Sequence, residues 1–279
     1  MTSRRLLVWY RIIVCTLAGV LLGGVLESAI APTPAHADSI LERLHNLIWP
    51  PTSRGTASGR RRGGAIRGNC AAVNHSSVDG KELIALIPQN NEGTTTSTFP
   101  TVWFYLPLFQ FLPSDQASAN PAPVPVREGE FMLLDERGQP ALKAPIPVKL
   151  PDQSGFGRFT LPSDPSVWVN SQGLEAGKRY NWFFSVSCDA KQPAKNPSVS
   201  GWIVRVEAPP GLAEQLQKTP EKDRYGVYIT NDIWFDGFTL LSENRQADPD
   251  NWAAVLKELE LATMTQAPIG VLQPIKSNP

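Results

Sequence analysis

The sequence predicts a mainly β protein, an antiparallel Greek-key or Ig-like β-sandwich followed by a C-terminal α-helical hairpin. Between residues 69 and 208, short apolar segments alternate with Gly, Pro, Asp and Asn, as in a sandwich. The 26 prolines and 8 tryptophans also favour a strand-rich, turn-rich body. After Pro209-Pro210 the apolar residues recur at helical spacing, which predicts C-terminal helices over residues 209–265 that pack on the sandwich.

Residues 1–37 resemble a secretory signal peptide. A basic start precedes an uncharged apolar run from Ile12 to Leu26, and Ala35-His36-Ala37 offers small residues for cleavage. Cleavage near Ala37 would place the mature protein in the periplasm or outside the cell. The apolar run is shorter than the roughly 20 residues of a membrane-spanning helix. An uncleaved anchor is the alternative, because apolar residues before the run could lengthen it.

The apolar residues of segment 38–50 recur at steps of three and four, which predicts a short amphipathic helix that Pro50-Pro51 would end. Residues 51–68 form an Arg- and Gly-rich segment without an acidic residue. One interpretation is a flexible, solvated linker. The other is a basic arm that binds an anionic surface such as lipid head groups, an acidic glycan or a partner. The arginines of this basic arm are Arg54, Arg60, Arg61, Arg62 and Arg67.

The strands of the central domain follow from alternating apolar residues. From Tyr180 to Cys188 every second side chain is apolar or aromatic, which predicts one buried face. The turn before Tyr180 resembles a tyrosine corner, in which the phenol bonds to upstream backbone. An ordinary strand aromatic is the alternative. The predicted strands are 82–88, 101–107, 129–134, 147–150, 157–161, 180–188 and 200–207.

Aromatic residues are dense between Phe99 and Tyr105. Core packing is the ordinary explanation for such residues in a sandwich strand. The functional alternative is an exposed aromatic platform for a glycan, a peptide or a partner strand. Trp103, Tyr105 and Trp234 are the candidate binding residues under this hypothesis.

Cys70 and Cys188 remain once the predicted signal is removed. In an exported protein such a pair favours a disulfide, because oxidising compartments preserve the bond. It would close a loop of about 118 residues, worth roughly 4–5 kcal/mol on the chain-entropy estimate. No metal or cofactor is expected, since neither His45 nor His75 lies at ligand spacing from a cysteine.

The C-terminal region predicts a short helix over 211–218, a longer helix over 220–244 and a third from Asp248-Pro249 to about Ala262. The last two would pair as a hairpin on the sandwich. Residues 266–279 predict a loose tail.

Catalytic patterns are weak in this sequence, so no catalytic residue is predicted. The two remaining histidines do not adjoin a nucleophile-elbow motif. Asp232 and Asp236 would lie one turn apart on the longer helix, as a candidate carboxylate pair for glycoside hydrolysis. A solvated helix edge is the ordinary explanation for them. The chain carries 26 basic and 26 acidic residues, which argues against nucleic-acid binding.

Several segments together suggest a family. They are Arg67-Gly68-Asn69-Cys70, the strand from Pro100 to Pro107, Tyr180-Asn181-Trp182 with Gly201-Trp202-Ile203-Val204-Arg205, and Ile233-Trp234-Phe235-Asp236. These segments resemble a cyanobacterial family of exported proteins that is known only as domain of unknown function 928. The resemblance covers roughly Arg60 to Ala262. It implies an envelope protein in a cyanobacterial periplasm and supplies no catalytic residues to transfer.

The sequence therefore favours a non-enzymatic, exported cell-envelope protein that binds a protein or glycan partner. The first alternative is a carbohydrate-active enzyme that uses paired carboxylates. The second is a structural subunit of an envelope assembly, whose neighbours would bury the exposed aromatic residues. The sequence does not determine the ligand or the oligomeric state.

Overall fold

The computed structural model describes residues 34–50, 56–63, 66–67, 69–73, 82–112 and 122–275. Most of the predicted signal peptide, together with Arg54 and His75, lies outside these residues. Contacts divide the chain into residues 1–37 and residues 38–279. Among the helices of the described ranges, none is both long enough and apolar enough to span a bilayer.

The described residues form a mainly β structure, as the sequence predicts. In chain order the strands are β1 (Arg62–Gly63), β2 (Ile66–Arg67), β3 (Cys70–Ala72), β4 (Leu83–Ala85), β5 (Glu92–Thr95), β6 (Thr101–Leu106), β7 (Phe109–Phe111), β8 (Val124–Pro125), β9 (Glu128–Asp135), β10 (Ile146–Lys149), β11 (Gly155–Thr160), β12 (Arg179–Val186), β13 (Ser198–Arg205), β14 (Ile269–Val271) and β15 (Gln273–Pro274). The helices are α1 (Pro34–Ile48), α2 (Leu212–Lys218), α3 (Arg224–Thr230), α4 (Trp234–Glu243) and α5 (Pro249–Glu258).

Within the described residues these strands form three sheets. The central sheet has the order β1-β4-β6-β11-β14, the outer sheet the order β15-β10-β9-β12-β13-β5, and the small sheet the order β2-β3-β7-β8. Most neighbours are antiparallel, but β5 pairs with β13 and β14 with β11 in parallel. The expectation of a wholly antiparallel arrangement is therefore wrong at two edges. In both cases long connections separate the paired strands, and parallel pairing requires such connections.

The central and outer sheets pack face to face through aromatic rings. Phe104 of β6 stacks on Phe184 of β12 with ring centroids 4.4 Å apart. Phe131 of β9 lies 4.6 Å from Phe159 of β11. Along β12, Trp182 and Phe184 are buried whereas Phe183 between them is exposed, so the predicted period-two pattern is confirmed.

Helices α4 and α5 cover the opposite face of the central sheet. Phe238 of α4 lies 5.7 Å from Trp103 of β6, and Trp252 of α5 lies 5.3 Å from Phe156 of β11, both edge to face. Edge-to-face geometry is favourable for aromatic rings. The central sheet is therefore buried on both faces, between the outer sheet and the helices.

The longer C-terminal helix predicted over 220–244 is in fact two helices, α3 and α4. Asp232 separates them with a φ of 59°, the left-handed conformation that Asp tolerates better than most residues. The two helices pack closely, because a Cβ at Gly237 would lie 2.7 Å from the side chain of Ile229. The last helix, α5, ends at Glu258, earlier than predicted.

Both ends of the described chain differ from the sequence prediction. Helix α1 spans Pro34–Ile48 rather than residues 38–50. Its buried Leu44 and Ile48 anchor it to the body, and Nδ1 of His45 lies 2.8 Å from a carboxylate oxygen of Glu258. The loose tail predicted from residue 266 is wrong for β14 and β15, which extend the central and outer sheets. Residues 276–279 lie outside the described residues.

Two local predictions in the β region are confirmed. The backbone N–H of Glu175 donates to the hydroxyl oxygen of Tyr180 at 3.0 Å, as a tyrosine corner requires. Burial raises the pKa of the Tyr180 phenol. Cys70 of β3 and Cys188, just beyond β12, form the predicted disulfide with a Cα–Cα distance of 5.8 Å. This bond joins the small sheet to the outer sheet.

We predict that replacing both Cys70 and Cys188 by serine lowers the free energy of unfolding by about 5 kcal/mol, because the bond closes a 118-residue loop. Guanidinium unfolding of the variant and of the oxidised wild type measures the difference. Reduction of the wild-type protein should reproduce the loss. A double variant as stable as the oxidised protein would contradict the prediction.

Candidate functional site

Of the two interpretations of the aromatic residues, core packing is confirmed and the exposed platform is wrong. Trp103, Tyr105 and Trp234 are each only 1% exposed. The indole N–H of Trp103 donates to Thr239 at 3.0 Å, and that of Trp234 donates to the carbonyl of Leu86 at 3.1 Å. These side chains are buried because the central sheet is covered on both faces, so they contribute to stability rather than to a binding surface.

The part of the basic arm that the structure describes is packed into the fold. Arg61 is buried, and it donates to a carboxylate oxygen of Glu260 at 3.0 Å. Arg62 of β1 lies 2.8 Å from Glu260 and 3.2 Å from Glu82. Its hydrogen bond to Glu260 is the largest cause that lowers the pKa of that carboxyl. Burial lowers the pKa of Arg61.

Ion pairs and backbone hydrogen bonds fix residues 60–63 between two sheets, and we call this segment the seam. The backbone of Arg60 pairs with Ser200 of β13, and the next residues pair with β4. The seam thus connects the outer sheet to the central sheet. A flexible linker through Arg60, Arg61 and Arg62 is therefore wrong. Arg54 lies outside the described residues, and only the backbone of Arg67 is described.

A cavity with a mixed polar and apolar lining, here called the carboxylate cleft, lies where the β5–β6 connection meets α3 and α4. Its volume is about 220 Å³. Strand β5 approaches α4 closely at Gly93, where a Cβ would lie 2.8 Å from the ring of Phe235. The polar and aromatic residues that line the cleft are Thr95, Ser97, Phe99, Thr101, Tyr228, Phe235, Asp236 and Thr239.

Asp236, in the first turn of α4, is the acidic group of this cleft. Its carboxylate accepts hydrogen bonds from the hydroxyls of Thr95 at 2.6 Å and Thr96 at 2.9 Å. The backbone N–H of Thr96 adds a third contact at 3.3 Å. The position also suits the positive end of the helix dipole. These contacts fix the orientation of the carboxylate and tie β5 to α4.

The pKa values of two groups in the cleft are raised. Burial is the main cause that raises the pKa of Asp236, and it outweighs the hydrogen bonds from Thr95 and Thr96. Burial also raises the pKa of the Tyr228 phenol, and the negative charge of Asp236 raises it further. A buried carboxyl with a raised pKa, whose charge also raises the pKa of a nearby phenol, is a candidate functional site on physical grounds.

Sequence reasoning identified Asp236 but assigned it the wrong neighbour. Asp232 lines a different cavity, so the two carboxylates do not share one site. The hydrogen-bond partners of the Asp236 carboxylate are Thr95 and Thr96, and its charge acts on Tyr228. Thr95 is 141 positions away in the chain, and no sequence pattern marked it.

The family model described as Domain of Unknown Function (DUF928) matches residues 61–269. The match includes β5, α3, α4 and the whole lining of the carboxylate cleft, but it excludes α1. No curated protein and no solved structure matches the chain.

We predict that Asp236 makes stability decrease as pH rises. The pKa of Asp236 in the folded state is raised above the ordinary aspartate value of about 3.9. At pH values between that ordinary value and the raised pKa, the folded state binds more protons than the unfolded state. The free energy of unfolding therefore falls with increasing pH across this window. Asp236→Asn should remove this decrease in unfolding curves recorded from pH 3 upward.

Asp250→Asn is the matched control, because Asp250 is an exposed acidic residue in the first turn of α5. The control should leave the decrease unchanged. The same pH profile in wild type and Asp236→Asn would contradict the assignment.

Proposed function

The chain belongs to the DUF928 family, and on this premise we propose that it is an exported, non-enzymatic cell-envelope protein that binds a glycan in the carboxylate cleft. The observation that carries the proposal is the combination of an oriented carboxylate, a phenol and several hydroxyls in one aromatic-walled cavity. Cyanobacterial origin belongs to the same proposal and rests on the sequence resemblance.

The chemistry of the carboxylate cleft suits a sugar. Sugar hydroxyls both donate and accept, and the cleft offers the acceptor oxygens of Asp236 beside the hydroxyls of Ser97 and Thr101. Phe99 and Tyr228 are half-buried and can contact the apolar face of a sugar ring. The volume of about 220 Å³ lies below the range of about 300–1,000 Å³ typical of drug-sized ligands, which favours a single sugar unit.

The negative charge of Asp236 favours an uncharged glycan. An acidic sugar would bring a second negative charge into a cavity where burial already raises the pKa of Asp236. A hydroxyl of a neutral sugar would instead donate to the one lone pair of the Asp236 carboxylate that Thr95 and Thr96 leave free. Binding rather than hydrolysis is proposed because the second candidate carboxylate, Asp232, lines another cavity.

The proposed export is supported by the disulfide and by the first residues of the chain. The Cys70–Cys188 bond favours an oxidising compartment, where disulfides form and persist. The second support is the signal-peptide pattern of residues 1–37, a basic start, an uncharged apolar run and a small-residue cleavage site. We further propose that the sandwich is Ig-like with Greek-key connections, an assignment supported by the tyrosine-corner contact of Tyr180.

We predict that the purified protein binds neutral oligosaccharides on a glycan array in preference to acidic ones. Tyr228→Phe and Asp236→Asn should each weaken the binding about tenfold or more, since each removes a hydrogen bond that involves a charged or phenolic group. Titration calorimetry with the best glycan measures the affinities, and circular dichroism checks folding. Asp250→Asn should bind as the wild type does. The proposal would be overturned if no glycan on the array bound, or if both cleft variants bound the glycan with the affinity of the wild type.

We also predict that the protein isolated from an envelope fraction begins at Asp38. Edman sequencing of the isolated protein identifies its first residue. Replacing Ala35 and Ala37 by leucine should block processing, because the cleavage site requires small residues. A wild-type protein that retains its first residues would instead indicate an anchor.

A further inference from the structure

A second cavity lies at the C-terminal half of α1, and we call it the α1 cavity. Its volume is about 400 Å³, larger than that of the carboxylate cleft. Its charged lining residues are Arg43, Glu92, Arg179 and Asp232, and Asn46 and Asn90 add two amides. Four separate parts of the chain thus contribute polar groups: α1, the start of β5, the start of β12 and the α3–α4 turn.

Two of the four charges neutralise each other. A guanidinium nitrogen of Arg179 lies 2.5 Å from a carboxylate oxygen of Glu92, across the intervening strand β13 of the outer sheet. The Arg179 guanidinium also stacks on the ring of Trp202, 4.1 Å from its centroid. These contacts hold the group in place. Arg179 and Glu92 therefore form a fixed wall of the cavity with no net charge.

Arg43 is a cation without an ionic partner among the described residues. Its backbone is held by the burial of Leu44 on the same helix and by the contact between His45 and Glu258. Its side chain is exposed and lines the α1 cavity. A guanidinium in this situation can bind a carboxylate through two parallel hydrogen bonds.

Asp232 is the corresponding anion, also without an ionic partner in the described ranges. Its left-handed backbone is fixed, because its carbonyl accepts a hydrogen bond from the hydroxyl of Thr94. The residue is exposed and lines the same cavity as Arg43. The amides of Asn46 and Asn90 supply further groups able to bond the polar backbone of a ligand.

We propose that the α1 cavity binds a zwitterion, a free amino acid or a short peptide with free termini. Its carboxylate would pair with Arg43 and its ammonium with Asp232. The cavity presents one available charge of each sign. A purely anionic ligand would be repelled by Asp232, a purely cationic ligand would be repelled by Arg43, and a neutral ligand would leave both charges unpaired. The site is separate from the carboxylate cleft and does not depend on the glycan proposal.

The test uses the full exported protein and the dipeptide alanyl-alanine in both enantiomeric forms. Two blocked versions, acetylated at the amine or amidated at the carboxylate, complete the set. Titration calorimetry should show that each block weakens binding about two- to fivefold, as expected for loss of an ion pair with an exposed side chain. Arg43→Gln should abolish the difference in affinity between the dipeptide with a free carboxylate and the amidated dipeptide. Asp232→Asn should abolish the difference between the free and the acetylated amine, and Asn tolerates the same backbone conformation.

Tyr228→Phe, in the carboxylate cleft, should leave dipeptide affinity unchanged, which separates this site from the glycan site. Lys191→Gln controls for loss of a remote positive charge. No binding of either enantiomer at millimolar concentration, or equal affinity for the free and blocked peptides, would overturn the proposal. Blocking effects that persist in both Arg43→Gln and Asp232→Asn would also overturn it.

Discussion

The rest of the structure depends on a central sheet whose two faces are both covered. Side chains alternate across a strand, so Phe104 of β6 packs against the outer sheet while Trp103 packs against α4. Every residue of β6 after Thr101 is buried as a result. This double burial explains why the aromatic residues of β6 belong to the hydrophobic core. Polar side chains that could bind a ligand therefore lie at the margins of the layers.

The two candidate sites occupy such a margin, on either side of β5. This strand closes one edge of the outer sheet, and its close approach to α4 at Gly93 leaves polar cavities beside the contact. Asp236 and Asp232 follow one another closely in the chain. The turn between α3 and α4 nevertheless directs them to different cavities. In the proposed glycan site Asp236 accepts hydrogen bonds from hydroxyls, and in the proposed zwitterion site Asp232 supplies the negative charge.

The arginine-rich segment shows how composition can mislead. A run of Arg and Gly without acidic residues is typical of a solvated linker, because its charges have no local partner. In the structure the partner of Arg61 and Arg62 is Glu260, which lies 198 positions from Arg62. Burial of Arg61 next to that carboxylate turns the segment into the seam between two sheets. An ion pair so distant in sequence leaves no periodic signal.

Patterns that repeat within a few residues were sufficient to predict the mainly β class, the buried face of β12, the contact of Tyr180 and, from the cysteine count, the disulfide. These features follow from local spacing and from redox chemistry. Only the tertiary structure decided the parallel edges, the break at Asp232, the burial of Trp103 and the partners of Asp236. Each depends on which distant segments meet, and the free energy of such contacts is set by packing and desolvation rather than by neighbours in sequence.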